Sequence, residues 1–371
     1  MSESRLLIVG AFPPPGKIIY GGISKSCEIL LQSSLKNRFE ITTLDSSQIS
    51  NPPPRFLIRG LIAIRRLFLL IIYLNKYKPQ ASLIFSSDGW SSFEKGLMIY
   101  ICRLYGSKTL IFPRAGNLIN QVSNSIFRFK LIKFLYGRSD IFLCQGNQWN
   151  DFAVNKLNIE QSRVKIINNW TATEEQICIG RDRDYRTSKN VPKLIFVGWL
   201  ENFKGVFELL HACNSLQTRD IKFHLTFIGG GSAESSAKDY VKNHNLNEYV
   251  SFCGWVQSSE LNFHLAASDI FVLPSWSEGM PNAMIEAMAA GLAVIVTSVG
   301  VIKDYIQNDQ HALIVPPKNI DVLEKSMHRL ITDEDLRANI AFEGHNLAKT
   351  LFSVESNTAI LGDIMEGLII K

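Results

Sequence analysis

The segment "IFVLPSWSEGMPNAMIEAMAAGLAVIVTSV", residues 270–299, decides the fold class. It starts with the apolar run IFVL, passes through a loop with proline and glycine into a helix-forming stretch, and ends with the β-branched run AVIVT. A strand, a helix and a strand in this order predict a βαβ unit with parallel strands. The same alternation recurs along the chain, so we predict an α/β protein.

The alternation of strands and helices starts twice, at "RLLIVGAF" near the N-terminus and again at "KLIFVGWL", residues 193–200. A chain of 371 residues also exceeds the usual size of one hydrophobic core. We therefore predict two Rossmann-like parallel-sheet domains that face each other across a cleft. The N-terminal domain should cover residues 1–180 and the C-terminal domain residues 181–352, and residues 353–371 should form a helix that packs back on the N-terminal domain.

Composition indicates a globular, soluble protein, with 46% hydrophobic and 20% charged residues. The six cysteines are scattered without a CxxC pair, so we expect neither a zinc site nor a disulfide framework. We recognise no targeting signal at the N-terminus. The most apolar stretch, residues 61–74, is interrupted by Arg65 and Arg66 and is too short to span a bilayer. We expect a cytoplasmic protein with reduced cysteines.

Charge is divided unevenly along the chain. Residues 1–190 contain 26 Lys and Arg against 13 Asp and Glu, whereas residues 191–371 contain 13 against 21. A basic half favours an anionic partner. Two stretches, residues 55–78 and 126–138, mix basic and large apolar residues. Each is compatible with a helix in a lipid headgroup layer or with a core helix that has a solvated basic edge.

Two carboxylates flank the predicted helix start in the opening segment. Glu286 lies about one turn beyond Asn282 on the same helix face, and Glu278 precedes the helix in the loop. Gly279 lets a ligand approach the backbone, and the amides of Gly279, Met280 and Asn282 face whatever lies above the helix. Carboxylates accept well from neighbouring hydroxyls, so this pattern favours a sugar nucleotide. The alternative is that each acid only balances the helix dipole.

Residues 277–294 resemble the Glu-x7-Glu signature of the retaining glycosyltransferases of family 4. "FVGWLENFKG", "FIGGG" and "FCGWV" match the same family in its order, and the match is looser in the N-terminal half. The resemblance implies a GT-B fold and a retaining hexosyltransferase that binds a nucleotide sugar mainly through the second domain. It is on this resemblance that we assign the site residues.

The resemblance implies that Glu286 binds the ribose hydroxyls, that Glu278 holds the transferred sugar, and that Lys204 lies on the diphosphate. Glu278 and Lys204 are thus the expected catalytic residues, and a fixed cation would stabilise the charge that develops on the leaving diphosphate. The full expected donor-binding set is Gly22, Gly198, Lys204, Gly230, Val256, Glu278, Gly279, Met280, Asn282 and Glu286.

The sequence departs from the family at Trp199, where an arginine is usual. Arg114 of "FPRAGN" is a candidate to replace that cation, and a structural salt bridge is the alternative role. We place Arg114 and Asn117 on the acceptor side. We find no acidic pair of the DxD type after a strand, so we expect no metal ion and no cofactor, and we name no catalytic base.

The sequence therefore predicts transfer of a sugar from a UDP- or GDP-sugar to a lipid-linked or oligosaccharide acceptor. The setting would be bacterial surface polysaccharide assembly, for O-antigen of lipopolysaccharide, capsule or exopolysaccharide. The basic N-terminal domain predicts peripheral contact with the inner face of the cytoplasmic membrane, and no nucleic acid partner is expected. A sugar-nucleotide epimerase of the same architecture is the alternative. A nicotinamide oxidoreductase is disfavoured because G-x-G-x-x-G is absent.

Overall fold

The computed structural model describes residues 4–13, 21–47, 54–114, 116, 118–186 and 191–370. It divides into two compact units, one formed by Met1–Trp170 with Val354–Lys371 and the other by Thr171–Ser353. The boundary expected at residues 180 and 181 falls inside helix α7, Glu174–Arg181, which belongs to the second unit. That helix begins with a capping box between Thr173 and Gln176, which fixes its start well before residue 180.

The N-terminal unit contains a six-stranded sheet in the order β2-β1-β3-β4-β5-β6, in which every pair is parallel. Its strands are β1 (Ser4–Gly10), β2 (Phe39–Asp45), β3 (Ala81–Ser86), β4 (Lys108–Pro113), β5 (Ile141–Cys144) and β6 (Val164–Ile166). Its helices are α1 (Gly22–Gln32), α2 (Phe56–Tyr77), α3 (Trp90–Leu104), α4 (Leu118–Ser123), α5 (Ile126–Tyr136) and α6 (Asn147–Asp151). Every position of β3 is buried, as expected for a strand with helices on both sides.

The C-terminal helix α15, Val354–Ile369, packs on the N-terminal unit. Leu361 and Met365 are buried in the core that β1 and β3 supply. Arg38 fixes the outer side of the helix, because its guanidinium donates to Asp363 at 2.7 Å and to Glu366 at 2.9 Å. Helix α15 is therefore part of the hydrophobic core of the N-terminal unit.

The C-terminal unit contains a second six-stranded parallel sheet, in the order β12-β11-β10-β7-β8-β9. Its strands are β7 (Lys193–Val197), β8 (His224–Ile228), β9 (Val250–Gly254), β10 (Ile270–Leu273), β11 (Ala293–Thr297) and β12 (Leu313–Val315). After α7 its helices are α8 (Val206–Thr218), α9 (Glu234–Asn243), α10 (Ser258–Ala266), α11 (Asn282–Ala289), α12 (Ile302–Tyr305), α13 (Ile320–Thr332) and α14 (Glu334–Leu351). Two Rossmann-like parallel sheets confirm the predicted α/β fold class.

The order of the second sheet reverses between β7 and β10. The chain leaves β7 towards β8 on one side, whereas the strands that follow β10 are added on the other side. In open parallel sheets, ligands bind outside the carboxyl ends of the strands at such a switch point, because the loops there diverge. The loops after β7 and β10 are therefore where a site is expected in this unit.

Among the described residues, no helix combines the length and the apolarity that a membrane span requires.

The attachment of α15 can be tested with a pair of leucine and isoleucine variants. Leu361→Ala removes a side chain that is 0% exposed, whereas Ile360→Ala removes its neighbour, which is 46% exposed. We expect Leu361→Ala to lower the free energy of unfolding by about 2–4 kcal/mol because it leaves a cavity. Ile360→Ala should change it by less than about 0.5 kcal/mol. Urea denaturation followed by circular dichroism measures both, and equal losses would contradict the packing of α15.

Candidate functional site

Lys204 and Glu278 form an ion pair at the switch point of the C-terminal sheet. Lys204 ends a short 3₁₀ turn after β7, and Glu278 lies in the loop after β10. The Lys204 Nζ is 2.6 Å from Oε1 of Glu278, and the side chains are 18% and 11% exposed. A contact this short is a charge-assisted hydrogen bond. The two residues expected to be catalytic lie 74 positions apart in the chain and are brought together by the sheet order.

The two loops that carry this pair are joined through their backbones. The Trp276 amide donates to the Phe203 carbonyl at 2.8 Å. Gly205 has a φ of 75°, and a Cβ there would lie 2.2 Å from the carbonyl oxygen of Pro274. Because only glycine fits this contact, the turn that contains Lys204 packs directly on the end of β10.

The side chain of Trp276 ties the same loops to helix α8. Its indole N–H donates to Oε1 of Glu208 at 2.8 Å. On the other side, the ammonium of Lys318 lies 4.1 Å from the centre of the Trp276 ring, within the range of a cation–π contact. Trp276 is half-buried and immediately precedes the segment that begins with Ser277. It is a structural support for the ion pair that the sequence did not indicate.

The loop after β10 packs against Gly300, which lies in the loop after β11. Gly300 has a φ of 60°, and a Cβ there would lie 2.3 Å from the carbonyl oxygen of Glu278. The Val301 amide donates to the Gly279 carbonyl at 3.1 Å. The segment of Glu278 and Gly279 therefore contacts the loop after β11 as well as the loop after β7.

Helix α11 begins at Asn282, with Pro281 immediately before it. Pro281 occupies the N-cap position with extended backbone angles. Asn282 and Glu286 are both buried and lie one turn apart, so they share a face of α11 as expected. Met280, in the loop before the helix, is also buried.

The glycine-rich loop after β8 packs against the loop after β7. A Cβ on Gly229 would lie 1.8 Å from the carbonyl oxygen of Gly198. The Gly198 amide donates to Ile228 at 2.9 Å, and the Leu200 amide donates to the Gly230 carbonyl at 3.0 Å. Two residues of the expected donor-binding set, Gly198 and Gly230, therefore lie on adjacent loops at the carboxyl edge of the sheet.

Trp199 and Trp255 form an aromatic pair beside these glycines. Their ring centres are 4.8 Å apart with planes at 73°, which is an edge-to-face contact. Trp255 directly precedes Val256, another residue of the expected donor-binding set. A Cβ on Gly230 would lie 2.9 Å from the indole nitrogen of Trp255, so the glycine-rich loop approaches this ring closely. Trp199, at the position where the glycosyltransferases that the sequence resembles usually have arginine, thus has an aromatic neighbour.

In the N-terminal unit, Gly22 is the first residue of α1. The guanidinium of Arg114 lies over the rings of Phe112, at 5.0 Å, and Trp170, at 5.3 Å, and donates to the Ser26 hydroxyl at 2.9 Å. Burial lowers the pKa of Arg114 to about 10, so the guanidinium still carries its charge at neutral pH. Arg114 therefore takes part in packing within its own unit, and its acceptor role stays a prediction. Asn117 lies outside the described residues.

Within the part of the chain that the structure describes, no group of three or more His, Cys, Asp or Glu residues is arranged to hold a metal ion. The expectation of metal-independent chemistry stays a prediction.

The sequence did not indicate the contacts of Gly205, Trp276 and Glu208. Gly205 directly follows Lys204 in a polar loop, and a glycine in such a loop is a signal that could have indicated a tight turn. No local pattern pairs Trp276 with Glu208, because Trp276 lies in the loop after β10 and Glu208 lies in helix α8, 68 positions earlier in the chain.

Residues 181–346 match the family model described as Glycosyl transferases group 1. The chain is 28% identical to the teichuronic acid biosynthesis glycosyltransferase TuaC of Bacillus subtilis over 72% of this chain and 64% of that protein. The chain thus spans less than two thirds of the length of TuaC. It is also 27% identical to the amylovoran biosynthesis glycosyltransferase AmsK of Erwinia amylovora, over 47% of this chain and 45% of that protein.

Two solved structures resemble the fold over nearly its whole length. Sucrose-phosphate synthase from Thermosynechococcus elongatus has a TM-score of 0.77 and 16% identity, covering 99% of this chain and 100% of that chain. HepE from Anabaena, in complex with UDP-glucose, has a TM-score of 0.71 and 13% identity, covering 98% and 99%. With the two parallel sheets, these likenesses show the GT-B fold, and the matched family model supports a glycosyltransferase.

The close packing of the two loops can be tested with two glycine variants. Gly205 and Gly254 have similar positive φ angles, 75° and 70°, but a Cβ on Gly254 would meet nothing within 4 Å. Gly254→Ala should therefore cost only the backbone strain, about 1–2 kcal/mol of unfolding free energy. Gly205→Ala should cost about 1–3 kcal/mol more, because its methyl group meets the Pro274 carbonyl. Urea denaturation compares them, and equal losses would contradict the close contact between the loops.

Proposed function

We propose that this protein is a retaining glycosyltransferase that moves a sugar from a UDP- or GDP-sugar to a lipid-linked or oligosaccharide acceptor. The setting that we propose is bacterial surface polysaccharide assembly, for lipopolysaccharide O-antigen, capsule or exopolysaccharide. The observation that carries the proposal is the Lys204–Glu278 pair, which lies at the switch point of a parallel sheet in a GT-B fold. A cation and a carboxylate side by side match the two parts of a nucleotide sugar, its diphosphate and its hydroxyls.

The similarities support the reaction class and the setting. TuaC and AmsK are both named as glycosyltransferases, for the biosynthesis of teichuronic acid and of amylovoran. The Anabaena structure of the same fold is a complex with UDP-glucose. A UDP-sugar is therefore the first donor to test, and GDP-sugars are the second.

In the proposed mechanism, Lys204 contacts the diphosphate. Cleavage of the bond between the sugar and the diphosphate builds negative charge on the leaving group, and a fixed cation in a partly buried site stabilises that charge. Helix α8 begins just after Lys204 and Gly205, and the N-terminus of a helix adds unpaired amides and a positive dipole end. We propose that Lys204 and this helix end share the neutralisation of the leaving group.

The carboxylates bind hydroxyl groups in this proposal. Glu286 accepts from the ribose hydroxyls, and Glu278, with the amides of Gly279 and Met280, holds the transferred sugar. Retention requires the acceptor to enter the face of the sugar from which the diphosphate departs. The leaving group then lies beside the acceptor hydroxyl, so we assign no separate protein base. A sugar-nucleotide epimerase is not favoured, because the matched proteins that define the setting are transferases.

A large apolar face on the N-terminal unit supports the choice of a lipid-linked acceptor. It is formed by exposed side chains of α2, α3 and α5, which we call the apolar face. Its members are Phe56, Leu57, Ile58, Leu61, Ile64, Phe68 and Ile72 from α2, Trp90, Leu97, Tyr100 and Leu104 from α3, and Ile126, Phe127 and Phe134 from α5. Exposed apolar patches of this extent mark surfaces that bind another molecule or a membrane.

Contacts between the helices connect the members of the apolar face. The rings of Phe56 and Trp90 have their centres 5.5 Å apart, which joins α2 to α3. Arg138, just after α5, lies over the rings of Tyr100 and Phe134 and joins α3 to α5. The apolar residues therefore belong to one surface.

Charge favours an anionic bilayer as the occupant of this surface. Helices α2 and α5 contain no Asp or Glu. Arg66 of α2 is largely buried beside Glu94, and the other charged residues of the two helices are Arg59, Arg65, Lys76, Arg128, Lys130 and Lys133. Basic side chains around an apolar face are typical of helices that lie in the headgroup layer. We propose that the apolar face contacts the inner face of the cytoplasmic membrane peripherally, where a lipid-linked acceptor would be found.

Two variants test the donor site. Lys204→Ala should lower kcat of sugar transfer by about 10²- to 10³-fold, the effect of losing one preorganised charge contact. Glu286→Ala should weaken nucleotide binding while the fold is retained, because two hydroxyl contacts to the ribose are lost. Transfer is measured with radiolabelled UDP- and GDP-sugars and bacterial lipid extracts, and binding is measured by calorimetry.

The matched control for the donor site is Lys238→Ala. Lys238 also pairs with a glutamate, Glu234, at 2.7 Å, but it is on the surface of α9. The Lys238→Ala substitution should leave sugar transfer unchanged. Near-normal activity of Lys204→Ala would remove that residue from the site, and formation of an epimer without transfer would select the epimerase instead.

The apolar face predicts binding to vesicles of phosphatidylglycerol and phosphatidylcholine. Replacing Leu57 and Leu61 together by serine should weaken cosedimentation by at least about tenfold, because two exposed leucines no longer enter the lipid. Arg59→Glu should weaken cosedimentation with the vesicles more at low salt than at high salt, because salt screens the attraction between charges. Phe263→Ser, which changes an exposed aromatic residue of the C-terminal unit, is the control. Unchanged partitioning of the leucine variant would contradict the membrane contact.

A further inference from the structure

The Lys204–Glu278 pair joins two groups that the proposed function assigns to different parts of the donor. Lys204 is assigned to the diphosphate and Glu278 to the transferred sugar. In the structure, each is already satisfied by the other, at 2.6 Å, and both side chains are largely buried. Removing one member of such a pair leaves the other charge partly desolvated and uncompensated. A ligand that attracts Lys204 must therefore also offer something to Glu278.

The backbone gives this pair little freedom to separate. The Trp276 amide is bonded to the Phe203 carbonyl, next to Lys204, and Gly205 packs on the Pro274 carbonyl. The Lys204 ammonium also lies 5.6 Å from the centre of the Phe203 ring. Because the loops are joined on both sides of Lys204, we expect an exchange of partners to occur by rotation of the two side chains rather than by separation of the loops.

We propose that the Lys204–Glu278 pair selects the intact nucleotide sugar over the bare nucleoside diphosphate. The inference rests on the proposed function and adds a specificity role to its site. A bare diphosphate offers an anion to Lys204 but leaves the carboxylate of Glu278 without a cation and close to a second negative charge. A nucleotide sugar supplies the same anion together with hydroxyl donors for Glu278, so both partners of the broken pair are satisfied.

The same exchange favours release of the product. When the sugar has been transferred, its hydroxyls leave with the acceptor and Glu278 loses its donors. The carboxylate then competes with the diphosphate for Lys204. The pair thus weakens the binding of the nucleoside diphosphate at the stage of turnover at which that product must depart.

Calorimetric titration with UDP and with GDP tests the inference. Glu278→Gln removes the competing charge, so we expect it to bind whichever diphosphate the wild type binds about tenfold more tightly, the effect of one partly buried charge pair. Its transfer activity should fall, because the sugar contact is weakened. In a Lys204→Met background, Glu278→Gln should give no gain in diphosphate affinity, since the cation that it releases is absent.

The matched control is Glu324→Gln. Glu324 is also 11% exposed and pairs with a cation, Arg219, at 2.5 Å in the same unit. Arg219 follows the C-terminal end of α8, whereas Lys204 precedes its N-terminal end. The control changes the net charge equally without releasing Lys204, so its diphosphate affinity should equal that of the wild type. An equal gain in both variants would show a general charge effect and overturn the inference.

The failure of this inference can be distinguished from the failure of the proposed function. If neither the wild type nor Glu278→Gln binds a UDP-sugar, a GDP-sugar, UDP or GDP, both are overturned together. If the wild type binds a nucleotide sugar and Glu278→Gln binds the corresponding diphosphate no more tightly than the wild type does, only the selective role is overturned. Should Glu278→Gln fail to fold, Glu278→Asp serves instead, because its shorter side chain loses the 2.6 Å contact, and a smaller gain in the same direction is expected.

Discussion

The contact between Gly205 and the carbonyl of Pro274 is the constraint on which the candidate site depends. No side chain fits there, since a Cβ would lie 2.2 Å from that oxygen. The contact brings the turn after β7 against the end of β10, and the hydrogen bond from Trp276 to Phe203 holds it in place. Lys204 and Glu278 project from these two loops. The short distance between the Lys204 ammonium and the Glu278 carboxylate therefore follows from the packing of the two backbones.

The order of the strands explains why the site forms between these loops. In a parallel sheet that is extended on both sides of β7, the loops after β7 and β10 lead to helices on opposite faces of the sheet, and the two loops pack against each other at its carboxyl edge. The N-terminus of α8 and the loop before α11 follow these two loops. A helix end and a lysine then provide positive charge in the place where the carboxylates of Glu278 and Glu286 provide acceptors. The combination is suited to a ligand that contains both an anion and hydroxyls.

The sequence predicted the features that local patterns determine. The βαβ unit of residues 270–299 and the shared face of Asn282 and Glu286 follow from hydrophobic runs and from helical spacing. The pairing of Lys204 with Glu278 did not follow, because it depends on which strands are neighbours in the sheet. The contacts of Trp276 were missed for the same reason. The unit boundary was placed inside α7 because the polar composition of that region concealed a short capped helix.

The N-terminal unit contains a helix whose surface its own core does not explain. Helix α2 is 22 residues long, yet only Leu70 and Leu74 are buried. A helix that merely covers a parallel sheet buries a continuous stripe and exposes polar residues. Here the exposed side is apolar with arginines, and leaving that much apolar surface in water is unfavourable. The proposed membrane contact would remove this cost and would concentrate a lipid-linked acceptor in two dimensions. The excess of basic residues in the first half of the chain fits the proposed division, in which one unit binds the donor and the other the lipid surface.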